Sequence, residues 1–233
     1  MEFDIKTLAA CGSTQDEAKK QAGDPPRHGF VVHTLQQDTG RGRQGNSWHG
    51  PMGNLYMSVV LNPSLEAKHS GQLAFVAALT VAGTVRALTD GKADISLKWP
   101  NDVLVDGKKI AGILIEKEGD AYILGIGLNI LAPPEDAIGL QEICDKRTPI
   151  NPVRDFLLDV LDGYYTRWLK EGFEPIREQW MRKAAFMDQE IQVNLADGKD
   201  KGVFKGIDEN GALILEKDGE IKKILSGEVF ASS

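Results

Sequence analysis

Residues 40–48 read Gly-Arg-Gly-Arg-Gln-Gly-Asn-Ser-Trp, and residues 98–102 read Lys-Trp-Pro-Asn-Asp. The first segment combines glycine backbone with guanidinium charge on one loop, and the second places a lone lysine where a strand runs into a proline. Glycine lets backbone N–H groups approach an anion closely, and guanidinium groups suit carboxylate or phosphate. We therefore expect the two segments to meet at a site for a small anion and its activated, phosphate-linked form.

The glycine spacing of the first segment also matches the pattern Gly-x-Gly-x-x-Gly, through Gly40, Gly42 and Gly45. A dinucleotide-binding fold needs a strand before this pattern and a helix straight after it. A strand is predicted over 30–35, but the glycines and proline that follow the pattern argue against a helix. No protein-kinase motif follows either. A flexible, exposed loop with solvated arginines remains the structural alternative.

The second segment has a similar pair of interpretations. Lys98 is either an edge-strand lysine stacked on Trp99 or a fixed ammonium aimed at a carboxylate or an α-phosphate. Asn101 and Asp102 then offer oxygens for a magnesium-bound nucleotide. Asn129 either reads a base edge or is a buried amide bonded to backbone.

The composition indicates an ordered globular protein. The chain has 233 residues, of which 42% are hydrophobic, enough for one large domain or one medium domain with a small appendage. Its net charge of −7 argues against a general nucleic-acid binder, which would normally be basic. No apolar run approaches the ~20 residues that span a bilayer, and the first residues do not resemble a signal peptide. Two cysteines predict no disulfide framework and favour the cytoplasm.

Local patterns predict two successive units. Periodicity and turn signals predict helices over 15–20, 73–88, 156–169 and 174–183 and strands over 30–35, 54–61, 95–99, 103–105, 110–116 and 122–130. Short strands over 191–195, 202–207, 212–215 and 221–225 alternate with tight turns, which is typical of a small barrel. We therefore expect an α+β fold, with a mixed sheet packed against helices in residues 1–186 and a small β-domain in residues 187–233.

Five motifs appear in an order that resembles a known family. They are Ser13-Thr14, the run 37–43, the run 98–102, the run 109–116 (Lys-Ile-Ala-Gly-Ile-Leu-Ile-Glu) and the run 125–129 (Gly-Ile-Gly-Leu-Asn). The sequence closely resembles biotin protein ligases, also called biotin–[acetyl-CoA carboxylase] ligases, over nearly its whole length. Residues 206–213 and 226–229 resemble that family's SH3-like C-terminal domain. The resemblance implies a class II synthetase-like catalytic domain.

The resemblance also implies a two-step reaction. Biotin and Mg-ATP would form biotinyl-5′-adenylate and pyrophosphate, and the adenylate would then acylate one lysine of a biotin carboxyl carrier domain of acetyl-CoA carboxylase. Because the biotin carboxylate is itself the nucleophile, the protein has to supply positive charge and alignment rather than a serine or cysteine. ATP and Mg²⁺ are the implied cofactors.

Carried over position by position, the resemblance implies three sets of residues. Those expected to bind biotin are Ser13, Thr14, Gln15, Gln37, Arg41, Gly42, Arg43, Lys98 and Gly112. Those expected to bind the nucleotide are Trp48, Asn101, Gly127 and Asn129, with Asp102 as a magnesium ligand. Those expected to act in catalysis are Arg41, Arg43 and Lys98. The chain departs from the family at Gln15, where asparagine is usual, and at Asn46-Ser47, where a basic residue is often found.

Two other functions compete with this interpretation. A lipoate–protein ligase uses the same adenylation logic, although the Gly-Arg-Gly-Arg loop favours biotin. A catalytically silent biotin-binding module would bind without releasing pyrophosphate. Because the Ser-Thr motif begins at residue 13, we expect a short form without an N-terminal DNA-binding domain and no DNA or membrane partner. A homodimer paired through sheet edges is compatible with the family.

Overall fold

The computed structural model describes residues 1–23, 25–63 and 71–231, which it arranges as two β-sheets and five α-helices. In this part of the chain the first sheet has seven strands, in the order β1-β2-β3-β7-β6-β5-β4. They are β1 Asp4–Leu8, β2 Phe30–Thr34, β3 Leu55–Leu61, β4 Ile95–Lys98, β5 Asp102–Val105, β6 Lys108–Glu118 and β7 Ala121–Leu128. Only β1 and β2 pair in parallel, so the sheet is mixed.

The helices cover the two faces of this sheet unequally. They are α1 Thr14–Gln21, α2 Gln72–Leu88, α3 Leu140–Ile143, α4 Ile150–Glu171 and α5 Glu174–Met181. The nearly all-apolar α2 lies in the main core with α4 and α5, because every face of it meets apolar neighbours. The short α1 covers only part of the opposite face, where Ala18 packs with Phe30 and Val32.

The uncovered part of that second face is built by β6 and β7. Side chains alternate along a strand, so Ile123, Gly125 and Gly127 share the face on which α1 lies. Ile123 packs under α1, but the two glycines beyond it offer no side chain to cover. Gly112 of β6 is the register partner of Gly127 and adds a third bare position. The sheet therefore has an open floor beside α1.

The second sheet follows α5 and is entirely antiparallel. Its strands are β8 Glu190–Leu195, β9 Gly198–Ile207, β10 Leu213–Lys217, β11 Glu220–Ile224 and β12 Glu228–Ala231, in the order β11-β10-β9-β8-β12. It contacts the first unit through a turn: Trp99 Nε1 donates to the Gly211 carbonyl at 3.0 Å. A Cβ at Gly211 would lie 2.5 Å from Phe75, so only glycine allows the turn to sit this close.

The predicted fold class is confirmed, although several element boundaries were wrong. The sequence patterns did not predict β1, β12 or the short α3. α4 begins at Ile150 rather than at residue 156, because Pro152 lies in its first turn, where a missing N–H breaks no helical hydrogen bond. The boundary predicted near Met187 lies between the end of α5 and the start of β8, and the division of the chain there stays a prediction.

Candidate active site

A cleft opens over the bare floor of β6 and β7. Arg43 from the glycine loop and Lys98 from the end of β4 both line it. The cleft is lined by Ser13, Thr14, Gln15, Gln37, Arg41, Gly42, Arg43, Gln44, Asn46, Ser47, Trp48, Tyr56, Met57, Lys98, Trp99, Pro100, Asn101, Asp102, Lys109, Gly112, Ile113, Leu114, Gly125, Ile126, Gly127, Gly227 and Glu228. Of the residues predicted to form the site, all but Asn129 contribute to this lining.

Neutral hydrogen-bonding groups occupy the end of the cleft at α1. Ser13 is the N-cap residue of α1, yet its hydroxyl makes no capping hydrogen bond. The Gln37 side-chain oxygen instead accepts from the Thr14 N–H at 2.8 Å and from its hydroxyl at 3.1 Å. Ser58 in turn donates to the Thr14 hydroxyl oxygen at 2.8 Å. The Ser13 hydroxyl is therefore not engaged in capping and remains available to a ligand.

Gln15 directs its side-chain oxygen, Oε1, to the same end of the cleft. Its Nε2 donates to Glu116 at 2.8 Å and to the Ile123 carbonyl at 3.3 Å. These two bonds fix the orientation of the amide, because a flipped amide would place oxygen against oxygen. Its Oε1 is buried above Gly125 and has no hydrogen-bond partner in the part of the chain that the structure describes; a Cβ at Gly125 would come within 2.9 Å of it. A buried acceptor with no donor is costly unless a ligand supplies one.

Trp48 lies flat against the glycine pair in the middle of the cleft. A Cβ at Gly127 would lie 2.6 Å from the indole Nε1, and one at Gly112 would lie 2.6 Å from the ring. The Nε1 donor is buried and has no partner among the described residues. Lys109 places its ammonium 5.3 Å from the indole and pairs with Asp102 at 2.7 Å. Glycine is required at both positions for the ring to approach the sheet.

Arg41 directs its charge toward carboxylates. Its guanidinium donates to both oxygens of Asp16, at 2.7 and 2.8 Å, and to Glu116 at 3.1 Å. The hydrogen bond from Arg41 lowers the pKa of Asp16, and the same pairing raises the pKa of Arg41. Burial alone would raise the pKa of Glu116, but the hydrogen bonds from Arg41 and Lys19 outweigh it and lower that pKa. These contacts occupy three of the five guanidinium N–H donors of Arg41, and its catalytic role stays a prediction.

Arg43 and Lys98 are engaged far more weakly. Arg43 reaches the Gly227 carbonyl at 3.5 Å and the Ser226 hydroxyl at 3.3 Å. The Lys98 ammonium lies 4.9 Å from the Phe230 ring and forms no ion pair or hydrogen bond with the residues that the structure describes. Both cations therefore remain able to meet an anion in the cleft.

Near Arg43 and Lys98, the side chains of Asn101 and Asn129 bond to backbone carbonyls, whereas Asp102 lines the cleft. Asn101 donates to the Ile113 carbonyl at 2.7 Å, which ties the start of β5 to β6. Asn129 is buried and donates to the Lys109 carbonyl at 3.3 Å, which matches the structural alternative for this residue. Within the described residues, no three His, Cys, Asp or Glu side chains cluster as a metal site. Asp102 and Glu228 are the carboxylates that line the cleft among the described residues, and Asp102 pairs with Lys109 at 2.7 Å.

Some residues of the cleft were missed by the sequence analysis. Glu116, Gly227 and Glu228 all lie in motifs that were recognised, but no role followed from those motifs. Phe230 belongs to a strand that was not predicted. Lys109 also begins a recognised motif, 109–116, without an assigned role, and the pairing of β6 with β5 brings it to Asp102. In the described ranges, no helix has the length and apolarity needed to cross a membrane.

Comparisons with known proteins identify the family of this chain. Residues 11–130 match the biotin/lipoate A/B protein ligase family, and residues 186–231 match the biotin protein ligase C-terminal domain. The chain belongs to the biotin/lipoate A/B protein ligase family. A biotin–[acetyl-CoA-carboxylase] ligase of Paracoccus denitrificans is 35% identical, across 96% of this chain and 98% of the relative. The bifunctional ligase/repressor BirA of Bacillus subtilis is 31% identical, across 93% of this chain and 70% of its own length.

A solved structure extends the similarity to three dimensions. The biotin protein ligase from Aquifex aeolicus in complex with biotin and ATP superposes with a TM-score of 0.86 and 31% identity, covering 97% of both chains. That coverage includes both sheets of the present protein. The likeness is therefore one of the whole chain and not of the first unit alone.

Proposed function

We propose that this protein is an ATP-dependent biotin–[acetyl-CoA-carboxylase] ligase, which activates biotin as biotinyl-5′-adenylate and transfers it to a lysine of a carboxyl carrier protein. The single observation that carries the proposal is the polarity of the cleft. Neutral hydrogen-bonding groups lie at its α1 end, and Arg43 and Lys98 line the same cleft.

Strand register separates the two ends. Lys98 pairs with Asp102, Asp102 with Gly112 and Gly112 with Gly127, so the lysine stands at the level of Gly127. The Gln15 oxygen lies above Gly125, two residues earlier on β7, an offset of about 7 Å along the strand, and Lys98 lies three strands away across the sheet, about 14 Å. A molecule with a neutral urea ring at one end and an acid tail at the other matches this arrangement. Biotin has that form, and the partnerless Gln15 oxygen would accept a urea N–H.

The first step follows from the free cations. A biotin carboxylate oxygen attacks the α-phosphorus of ATP, the bond from that phosphorus to the bridging oxygen breaks, and pyrophosphate leaves. Negative charge builds on the α-phosphate in the transition state, and Lys98 and Arg43 stabilise it because neither is committed to a protein carboxylate. The two ends of the cleft hold biotin in line for this attack.

The second step needs access rather than a new catalytic group. The neutral amine of the acceptor lysine attacks the acyl carbon, the carbon–oxygen bond to AMP breaks, and an amide forms as the amine loses a proton.

The nucleotide is proposed to be held by Trp48, Asn101, Gly127 and Asn129, the last of which would have to rearrange from its buried position. Mg²⁺ would be held by Asp102 together with ATP phosphates, in keeping with its preference for one or two carboxylates, and would neutralise phosphate charge.

The partners are proposed from the same reaction. The acceptor is the carboxyl carrier domain of acetyl-CoA carboxylase, and the protein acts in the cytoplasm. DNA is not a proposed partner, because the net charge is −7. The edge strand β1 offers a surface for a homodimer.

The test is a transfer assay with purified protein, ATP, magnesium and a carboxyl carrier domain, run in parallel with biotin and with lipoate. We expect biotin-dependent release of pyrophosphate and labelling of one carrier lysine. Transfer of lipoate alone would replace the proposal with a lipoate ligase. Tight binding of biotin without pyrophosphate release would indicate a non-catalytic binding module.

A further inference from the structure

The glycine loop forms a small hairpin across the cleft. The backbone N–H of Trp48 donates to the Gly40 carbonyl at 2.9 Å, and that of Gly42 donates to the Asn46 carbonyl at 2.6 Å. Between them, Arg41 and Ser47 form an isolated antiparallel β-bridge. A short 3₁₀ turn over Arg43–Gly45 makes the tip. The Arg41 side chain leaves this hairpin toward α1 and β6, while that of Arg43 reaches the segment before β12.

The two arginines of the loop are held with very different strength. Arg41 makes a two-pronged contact with Asp16, from the first turn of α1, and a third hydrogen bond with Glu116 of β6. Paired hydrogen bonds between guanidinium and carboxylate are among the strongest in proteins. Arg43 meets only neutral oxygens, at 3.3 and 3.5 Å. Arg43 can therefore exchange its contacts for a ligand at a lower cost than Arg41 can.

We propose that Arg41 is the latch of the glycine loop, and that Asp16 and Glu116 are positioning residues that keep the loop closed over the adenylate. The proposal rests on the proposed function for the identity of the retained molecule, but the latch itself requires no ligand. It reassigns Arg41 from phosphate binding to loop retention, and it gives Asp16 and Glu116 a part in the reaction through another residue.

Charge accounting supports this assignment. Arg41 and Lys19 face Asp16 and Glu116, so two positive and two negative groups balance. Drawing Arg41 away to a phosphate would leave two carboxylates with one cation. Glu116 also receives the Gln15 amide at 2.8 Å, so a single carboxylate joins the loop to the neutral end of the cleft. Among the described residues, the Asp16 carboxylate accepts side-chain hydrogen bonds only from Arg41 of the loop.

The first experiment measures hydrogen exchange of the peptide spanning residues 40–48 in the ligand-free, full-length protein. Asp16→Asn should speed exchange by about fivefold, the effect of losing one partly exposed ion pair. Arg41→Gln also loses the pair with Glu116 and should speed exchange at least as much, and the double variant should match Arg41→Gln. Glu17→Gln is the matched control, because Glu17 lies beside Asp16 but, among the described residues, forms an ion pair only with Lys20, at 2.6 Å. Unchanged exchange in Asp16→Asn would overturn the latch, whatever the protein binds.

The second experiment separates retention from chemistry. Asp16→Asn should form adenylate at the wild-type rate but lose about five times more of it to solution, measured as biotin hydroxamate trapped by hydroxylamine. Glu116→Gln should show the same loss together with a higher KM for biotin, through Gln15. An Arg41→Gln variant that slows adenylate formation about 100-fold, beside a normal Asp16→Asn, would overturn the proposal and restore Arg41 to catalysis. A wild type that releases no biotin-dependent pyrophosphate would refute the proposed function, while hydrogen exchange still decides the latch.

Discussion

Replacing Lys98 with alanine should separate catalysis from folding more sharply than any other change. Lys98 forms no ion pair or hydrogen bond with described residues, and its one specific contact is the Phe230 ring at 4.9 Å. A cation–π contact of this kind is worth about 0.5–1 kcal/mol, so the free energy of unfolding should fall by no more than that. The backbone pairing of β4 with β5 does not depend on the side chain.

The effect of Lys98→Ala on the reaction should be much larger. Removing one preorganised charge from a developing phosphate oxyanion costs about 3 kcal/mol of transition-state stabilisation, which is about 150-fold in the rate of adenylate formation. Single-turnover release of pyrophosphate measures that rate, and urea unfolding measures stability. Biotin binding through the α1 end should persist, because the neutral groups there do not contact Lys98.

Lys117→Ala provides the matched control. Its ammonium lies 6.0 Å from the Tyr122 ring, so the variant loses the same kind of contact on the same sheet, outside the cleft. Turnover should remain at the wild-type value. If Lys98→Ala forms adenylate within a few-fold of the wild-type rate, or if its loss of activity tracks a matching loss of stability, the role assigned to Lys98 is refuted.

Three further outcomes are expected. Arg43→Gly, which removes the weak contacts to Ser226 and Gly227 and one cation from the α-phosphate, should slow adenylate formation and let the adenylate that forms escape and biotinylate bystander proteins, detected by blotting. Gly127→Ala, whose Cβ would lie 2.6 Å from Trp48 Nε1, should raise the KM for ATP about tenfold through overpacking. His33 is fully buried, and burial followed by the nearby Arg154 lowers its pKa to about 4, so acid should destabilise the protein through it.

The sign of the pH effect follows from where each state binds a proton. Unfolded histidine protonates near pH 6.5, but folded His33 does not until about pH 4. Its contribution is fully present above about pH 6.5 and is lost as the pH falls toward 4, about 2.5 kcal/mol by pH 4.5. Urea unfolding of His33→Gln should show a shallower decline between pH 7 and 4.5. An identical decline in both proteins contradicts the assignment.

Each of the other two predictions has its own decisive result. Adenylate formation by Arg43→Gly without labelling of bystanders would exclude Arg43 from retention. Subtracting the fluorescence spectrum of Trp48→Phe from that of the protein isolates the emission of Trp48. Gly127→Ala should also change this Trp48 emission. An unaltered KM together with unaltered fluorescence would mean that the indole does not occupy the glycine floor in solution.

Local sequence was sufficient for most elements of the fold. The apolar run of α2 was predicted over 73–88 and spans Gln72–Leu88, because a helix buried all round is apolar all round. Asp106-Gly107 predicted the hairpin between β5 and β6, where both residues adopt positive φ. These features depend on hydrogen bonds and side chains within a few residues of each other, so a short window contains the whole cause.

Elements whose partners are remote were not predicted. β1 is a half-exposed edge strand that pairs in parallel with β2, so neither a hairpin turn nor a clear alternation marks it. β12 has four residues and pairs with β8, at the other end of the second unit. A strand this short is stable only because its partner is already in place.

The sequence by itself determined which residue types the site would use, since the motifs already contain Arg43, Lys98 and the glycines. Only the tertiary structure decided how those residues are engaged. It placed Arg41 against Asp16 and Glu116, 25 and 75 residues away, and left Arg43 and Lys98 with weak contacts. The physical reason is that a charge acts on whatever lies within a few ångströms of it, and folding, not adjacency in the chain, brings those groups together.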